Sequence, residues 1–321
     1  MLDLTSGRTP RRISRPLVVA ISAALALVAV MATSGGASAH GIAKPFSPRS
    51  CTNVVNTGGG GCANPGPVVL TPQEQTILAN KNALALEYAQ MRIGKLSAAA
   101  FQADQQAFLG KYGGSATIHP AMIPYCPSIA IGPNVACGSN WVNMTQQAQS
   151  NSYYCGPATA SEVLGARGIN VSQSTLAGNS YLKTNANGGT DWNPYVMGPT
   201  LNALTSTSYY VAVNGSGVGG GFSQSAWQGA LTYDVDNGWA IAGNIVEYSN
   251  SDPHLVGHPR SMTIYHWIGI YGYTSYGNNT SYADSVHGDS WIWSWAANVP
   301  AYSTISSSSM TTLLNQRGYV W

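Results

Sequence analysis

Charged residues are scarce in this sequence, since Asp, Glu, Lys and Arg make up only 8% of its 321 residues. Neither sign dominates, because the formal net charge is +2. No segment after residue 32 approaches the ~20 consecutive apolar residues that a membrane-spanning helix needs. These absences argue against nucleic acid as a partner, and against a membrane partner once the N-terminal segment described next is removed.

Basic, apolar and small residues follow one another at the N-terminus, in the order typical of a secretory signal peptide. Four arginines precede the run LVVAISAALALVAVMA, and the sequence Ala37-Ser38-Ala39 follows it. We expect cleavage before His40, so that residues 1–39 are the signal peptide. The mature chain then has 10 basic and 11 acidic residues, and we expect it to be secreted and extracellular.

Cysteine is also scarce. The sequence contains no Cys-x-x-Cys pair, which is the spacing that would indicate structural zinc. Four of the five cysteines form two local pairs, each 11 residues apart in Gly- and Pro-containing sequence. In an oxidising compartment we expect disulfides Cys51–Cys62 and Cys126–Cys137, although other pairings of these four remain open. Cys155 is left over. No metal or cofactor is expected.

The mature chain has two predicted parts, an N-terminal extension over 40–140 and an α+β domain over 141–321. The extension holds both predicted disulfides and a helical hairpin over 71–112, which begins with the capping box Thr71-Pro72-Gln73-Glu74. Ser97 is expected to cap the second helix of the hairpin. In the domain, apolar periodicity predicts a helix after Cys155, helices near 172–182, 194–205 and 223–237, and strands at 208–213, 239–248, 262–274 and 281–287.

Cys155 lies in QSNSYYCGPATASEVL, where the pattern predicts that a helix begins at the cysteine. Proline at the third position is compatible with a first helical turn, since its missing N–H would be unpaired there. The N-terminus of a helix stabilises a thiolate, which is what a nucleophilic cysteine requires. The competing interpretation is a small buried core residue.

A catalytic thiol needs a base, and His266 is the first candidate because it lies within the predicted buried strand MTIYHWIGIYGY. Asp284 follows in the next strand-like stretch, where adjacent antiparallel strands would bring its carboxylate to the imidazole. A structural core histidine and a turn aspartate are the alternatives. His287 is a reserve candidate, and His254 and His258 are expected on the surface.

These residues together resemble the C39 peptidase family, which are papain-like cysteine peptidases. The resemblance spans roughly residues 141–300 and is closest to free-standing, secreted actinobacterial members. It implies an α+β papain-like fold, in which the catalytic helix packs on an antiparallel sheet. It also implies that Cys155 is the nucleophile, His266 the general base and acid, Asp284 its orienting residue and Gln149 an oxyanion-hole donor.

Two departures from the family pattern limit what can be carried over. Ser285 stands where proline usually follows the aspartate, and Pro157 interrupts the usual small or aliphatic helix start. The best-known members of the family cleave leader peptides after a double glycine, and this specificity is therefore not transferred to this chain. The expected partner is a peptide or protein substrate, with a cell-wall peptide among the candidates.

Three other functions remain open from the sequence. The string HWIGIYGY is similar to the histidine strand of NlpC/P60 cell-wall peptidases, although their Asp-Cys-Ser-Gly motif is missing. An acyltransferase would share the thioester intermediate. A secreted binding or structural module would use the tryptophan-rich segment 290–303 as a contact surface and would not need a reactive thiol.

Overall fold

The computed structural model describes residues 54–56, 65–114 and 138–321. They all belong to one unit, Pro45–Trp321. The expected signal peptide and the cysteines of the two expected disulfides lie outside the described residues. Within the described ranges, no helix has both the length and the apolar character needed to cross a bilayer.

Two helices, α1 Pro72–Arg92 and α2 Ala98–Tyr112, lie in the segment where the sequence predicts a helical hairpin. The capping box is present, because the Thr71 N–H donates to Glu74 Oε2 at 2.8 Å and the Glu74 N–H donates to Thr71 Oγ1 at 3.2 Å. The Ser97 hydroxyl accepts from the Ala100 N–H and caps α2. These contacts satisfy amides that the first helical turn leaves without a partner.

Six further helices follow in the described residues. They are α3 Cys155–Gly165, α4 Gln173–Leu176, α5 Thr184–Asn187, α6 Met197–Thr205, α7 Gln224–Asp236 and α8 Ser307–Leu314.

The described strands form one sheet of eight. They are β1 Val54–Asn56, β2 Asn140–Trp141, β3 Ala212–Asn214, β4 Ile241–Glu247, β5 Thr263–Thr274, β6 Asn279–Ala283, β7 Tyr302–Ser306 and β8 Gly318–Val320. The main order is β3-β8-β4-β5-β6-β7, while β1 and β2 also pair with β5. All these pairs are antiparallel except β1 with β5, which is parallel.

The centre of the sheet is covered on both faces, which explains the apolar strand sequences. Every residue of β4 is buried, and ten of the twelve residues of β5 are buried. A Cβ at Gly269 would meet Glu162 of α3, while a Cβ at Gly243 would meet Leu314 of α8. Helices α3 and α8 therefore pack on opposite faces, and the result is a mixed fold of helices and a largely antiparallel sheet.

Differences from the sequence prediction lie in short elements. The predicted helix over 172–182 is reduced to the single turn α4, and the predicted strand over 208–213 is shifted to β3. The strands β1, β2, β7 and β8 and the helices α5 and α8 were not predicted. The segment that forms β7 and α8 is rich in serine and threonine, so its apolar periodicity is weak.

Candidate active site

Cys155 is the first residue of α3 and is completely buried as a thiol. The N-cap residue Tyr154 supplies no side-chain hydrogen bond to this helix end. Pro157 in the first turn has no N–H to satisfy. The positive end of the helix dipole therefore points at the thiol without a competing side-chain cap, which is a setting that stabilises an anion.

The sulfur lies against the backbone of β5. The Trp267 N–H donates to Cys155 Sγ at 3.3 Å. Strand β4 lies along one edge of β5, and β1 and β6 lie along the other. The Trp267 amide donates to the thiol and not to β4, so it points to the second edge, where β1 pairs at Tyr265 and β6 pairs at Gly269. The thiol therefore lies at the edge of β5 between these two strands, one residue beyond His266.

His266 is completely buried on β5, and its Nε2 lies 3.0 Å from Asp284 Oδ1. Asp284 directly follows β6 and is also buried. The Val286 N–H donates to the same carboxylate oxygen at 3.0 Å. Burial alone would raise the pKa of Asp284, but the neighbouring imidazoles of His258 and His266 hold it well below its usual range.

Gln149 is buried and tied to the residue after Asp284. Its N–H donates to the Ser285 carbonyl oxygen at 2.8 Å, and the Ser285 hydroxyl donates to Gln149 Oε1 at 3.3 Å. Its side-chain nitrogen donates to the Asn151 carbonyl oxygen at 2.8 Å. An amide nitrogen carries two hydrogens, so one further donation by Gln149 is chemically available.

Glu162 connects this loop to α3, two turns after Cys155. Its Oε1 accepts from the Gln147 N–H at 2.9 Å, whereas its Oε2 is buried without a hydrogen-bond partner. Burial raises the pKa of Glu162 to about 8. A protonated carboxyl at this position fits the low charge tolerance of the interior beside Asp284.

Two residues that sequence reasoning did not assign to the site extend it. His258 was expected on the surface, but its side chain is buried and its Nδ1 lies 2.7 Å from Glu247 Oε2. Its Nε2 lies 3.0 Å from Asp284 Oδ2, an ion-pair contact without hydrogen-bond alignment. The signal in the sequence was Glu247 itself, an acidic residue that ends an apolar strand.

Two further histidines, His254 and His287, lie in the described residues. The side chain of His254 was expected on the surface and is 4% exposed, with Nε2 3.0 Å from the Tyr248 carbonyl oxygen. His287, the reserve base, is exposed, and its Nδ1 lies 2.7 Å from the Val299 carbonyl oxygen. Of the two histidines that contact Asp284, His266 is the one next to Trp267, whose amide contacts the thiol.

The cluster also has the spacing of a metal site, because His258, His266 and Asp284 each bring one ligand atom within 4.8 Å of the others. The contacts favour a chain of ion pairs and hydrogen bonds. The carboxylates of Glu247 and Asp284 face three imidazole nitrogens of the two histidines. We therefore derive no metal chemistry from this cluster.

The tryptophan-rich segment lies beside the site. The Trp295 and His258 rings are 5.1 Å apart between centroids, and Trp293 stacks on Trp295 at 5.8 Å. Trp291 is 70% exposed. A separate groove of 430 Å³ runs along β2 and β5, lined by Asn140, Trp141, Val142, Asn143, Met144, Tyr271, Tyr273, Thr274, Ser281 and Tyr302.

Comparison with known families identifies the chain from this domain. The model of the Peptidase_C39 like family matches residues 140–310, which is more than half of the chain. The chain belongs to the Peptidase_C39 like family. No curated protein matches it. The matched residues of this C39-like chain include the cysteine helix, the histidine strand and Asp284.

Membership in the C39-like family indicates a cysteine peptidase. It favours a C39-like peptidase over an NlpC/P60 cell-wall peptidase. The mixed helical and antiparallel-sheet fold is consistent with a C39-like peptidase domain.

Proposed function

We propose that this chain is a secreted cysteine peptidase of papain-like arrangement, which hydrolyses a peptide or amide bond. Cys155 is the nucleophile, His266 the general base and acid, Asp284 the residue that orients His266, and Gln149 an oxyanion donor. One observation carries the proposal. The thiol at a helix N-terminus contacts the amide of Trp267, and the adjacent His266 is held by Asp284 through Nε2.

The contact at Nε2 supports Nδ1 as the nitrogen of His266 that exchanges protons with the thiol. Because Asp284 accepts the Nε2 hydrogen, Nδ1 takes the thiol proton. The sulfur of Cys155 then attacks the carbonyl carbon, and the C=O π electrons move to the oxygen. His266 Nδ1 returns the proton to the leaving amine as the C–N bond breaks, and a thioester remains.

Hydrolysis of the thioester repeats the same proton transfers with water. His266 Nδ1 removes a proton from the water as its oxygen attacks the thioester carbon. The C–S bond then breaks, the carboxylic acid leaves, and the proton returns to the sulfur. Gln149 and the Cys155 N–H donate to the oxygen that carries negative charge in both tetrahedral intermediates.

Substrate access sets a condition on this mechanism. Cys155 and His266 have no exposed surface, and Asp284 and Gln149 are each 1% exposed. A peptide therefore reaches the sulfur only when neighbouring segments of the same protein move aside. The substrate class is a peptide or protein, which fits export through the predicted signal peptide, and a cell-wall peptide is one candidate.

The same burial favours one second candidate function. A thiol with no exposed surface is what a catalytically silent module would keep as a core residue. In that case the exposed Trp291 and its tryptophan-rich neighbours would be the functional surface.

Trapping of the nucleophile separates these functions. We would incubate the mature protein with a peptidyl chloromethyl ketone library and locate adducts by peptide mapping, with Cys155→Ala as control. The peptidase is expected to carry one adduct, on Cys155, and to cleave peptides in a library that the variant leaves intact. Absence of both adduct and cleavage would support the silent module. Transfer of the acyl group to an added amine, without hydrolysis, would support an acyltransferase.

A further inference from the structure

Four buried ionisable residues form a row that starts at His266, the residue before Trp267. His266 Nε2 lies 3.0 Å from Asp284 Oδ1, and Asp284 Oδ2 lies 3.0 Å from His258 Nε2. His258 Nδ1 lies 2.7 Å from Glu247 Oε2. The imidazoles and carboxylates of these four residues are each at least nine-tenths buried, so water does not screen their interactions.

The strand register explains why three of these residues meet. Ile245 pairs with His266, and Ile270 pairs with Tyr282. Side chains two residues apart share a face of a strand. Glu247 therefore lies on the same face as Ile245 and His266, and Asp284, directly after β6, continues that face two residues beyond Tyr282.

His258 reaches this face from the loop between β4 and β5. The Leu255 N–H donates to Glu247 Oε1, and the Val256 N–H donates to the Tyr282 hydroxyl at 3.0 Å. The loop is thus fixed to β4 and β6 on either side of the imidazole. Each carboxylate also accepts a backbone hydrogen bond, Glu247 through Oε1 from Leu255 and Asp284 through Oδ1 from the Val286 N–H.

This placement makes His258 a buried cation. Burial alone would lower the pKa of His258, but the carboxylates of Glu247 and Asp284 raise it to about 10. One imidazolium therefore lies between two carboxylates, and it shares Asp284 with His266.

We infer that Glu247 and His258 are positioning residues that act through Asp284 and set the pH range in which Cys155 and His266 form the reactive pair. This inference rests on the proposed function. His258 supplies positive charge near the pair and occupies one oxygen of Asp284. Glu247 fixes the orientation of His258 and keeps it protonated.

Other charged and titratable groups also face this row of four residues. His254 Nδ1 lies 3.8 Å from Glu247 Oε2. Three groups interact electrostatically with Asp284: Glu162 of α3, Tyr282 of β6 and Asp289 of the following loop. They are unchanged in the variants below, so differences between variants report on the charges of residues 247 and 258.

The sign of each effect follows from the charge removed. Formation of the thiolate adds negative charge at Cys155. His258→Gln removes a nearby positive charge, so the thiolate forms at higher pH. Glu247→Gln removes a negative charge while His258 stays protonated in acid, so the thiolate forms at lower pH. A nearby charge shifts such a midpoint by about one pH unit.

The test is the pH dependence of Cys155 alkylation by iodoacetamide in four full-length mature variants, measured with a chelator present. His258→Gln is expected to shift the acid midpoint up, and Glu247→Gln is expected to shift it down. The double variant is expected to lie between them. His287→Gln, which changes an exposed histidine bound to Val299, is the matched control and is expected to leave the midpoint unchanged.

The outcomes separate this inference from the proposed function. Shifts in the same direction, or no shift, with a thiolate in the wild-type protein would overturn the inference alone. A wild-type thiol that is inert, or that titrates like ordinary cysteine, would overturn the proposed function and the inference with it. A third readout does not depend on variants. Nitrogen NMR of the wild-type protein is expected to show His258 as an imidazolium at about pH 8, and a neutral ring would overturn the inference.

Discussion

At the scale of single residues, the position after the cysteine is restricted to glycine by a close neighbour. A Cβ at Gly156 would lie 2.1 Å from Thr190 Oγ1 and 2.3 Å from Thr190 Cβ. Thr190 is itself fixed, because its hydroxyl bonds to the Thr184 hydroxyl at 2.7 Å and its carbonyl oxygen accepts from Trp267 Nε1 at 2.9 Å. The start of α3 therefore depends on a missing side chain.

Gly156→Ala is predicted to destabilise the protein and to displace the thiol from the Trp267 amide. Overpacking of this kind costs about 1–3 kcal/mol, and thermal unfolding together with the rate of Cys155 alkylation measures it. Gly165→Ala is the control in the same helix, because nothing lies within 4 Å of its added Cβ. That variant is expected to equal or exceed wild-type stability by up to ~1 kcal/mol. Equal stability of the two variants would contradict the steric argument.

Single residues also show how far sequence reasoning reaches at the site. Cys155, His266 and Asp284 were selectable because a helix start and two apolar strands frame them. The structure places the His266 and Asp284 side chains together and puts the thiol one residue from His266, while their catalytic roles stay predictions. His258 was not selectable. Its partners lie at the end of β4 and directly after β6, and a Pro-containing loop gives no periodicity from which burial can be inferred.

At the scale of elements, the hairpin α1–α2 is part of the core of the described protein. Ile77, Leu84, Phe101 and Phe108 belong to the same apolar cluster as the residues of α3 and β5. Lys81 of α1 is completely buried and lies 3.3 Å from Asp234 of α7. Its ammonium also lies over the rings of Tyr209 and Trp321. The sequence predicted the helices from their caps, but the partner of Lys81 is 153 residues away and has no local signal.

Lys81→Ala is predicted to lower the free energy of unfolding by about 3–5 kcal/mol, because it leaves the buried Asp234 carboxylate without its cation. Burial lowers the pKa of Lys81 to about 7 despite the attraction of Asp234, and burial raises the pKa of Asp234 against the attraction of Lys81. The comparison therefore belongs at about pH 6, where the ammonium is still charged. Denaturant unfolding measures the change, and Lys95→Ala in the exposed turn is the control.

A loss no larger than that of the Lys95→Ala control would contradict this role of the hairpin. The position of the hairpin ahead of the domain over 141–321 also suggests two roles, a removable inhibitory segment or a docking element, and the same result bears on the first of them. A helix pair that carries a buried ion pair of the core is expected to unfold the domain when it is deleted, whereas an inhibitory segment would leave a folded and more active protein.

At the scale of the whole molecule, the described fold gives Cys155 a defined place, whereas the other four cysteines lie outside the described residues. Cys155 is placed by a helix, a strand and a threonine in the family-matched domain. The remaining cysteines lie in Gly- and Pro-rich sequence, where periodicity predicts no helix or strand. Their pairing follows only from spacing and from the expected secretion, so it stays a prediction.

The mature protein is predicted to contain one thiol and two disulfides. In denaturant without reductant, a chromogenic thiol reagent is expected to detect one thiol per chain, and after reduction it is expected to detect five. Peptide mapping without reduction should recover Cys51 with Cys62 and Cys126 with Cys137. Three or five thiols before reduction in the exported protein would contradict the predicted disulfides.

The most direct measurement is the pH dependence of Cys155 alkylation in the mature protein, compared with His266→Ala and with His287→Ala as control. The proposed peptidase is expected to react as a thiolate well below the pKa of ~8.5 of an ordinary cysteine. His266→Ala is expected to abolish this reactivity, while His287→Ala preserves it. If Cys155 is inert, or if its titration is the same whatever residue occupies position 266, Cys155 and His266 do not form a catalytic pair. The silent binding module then becomes the function of this chain.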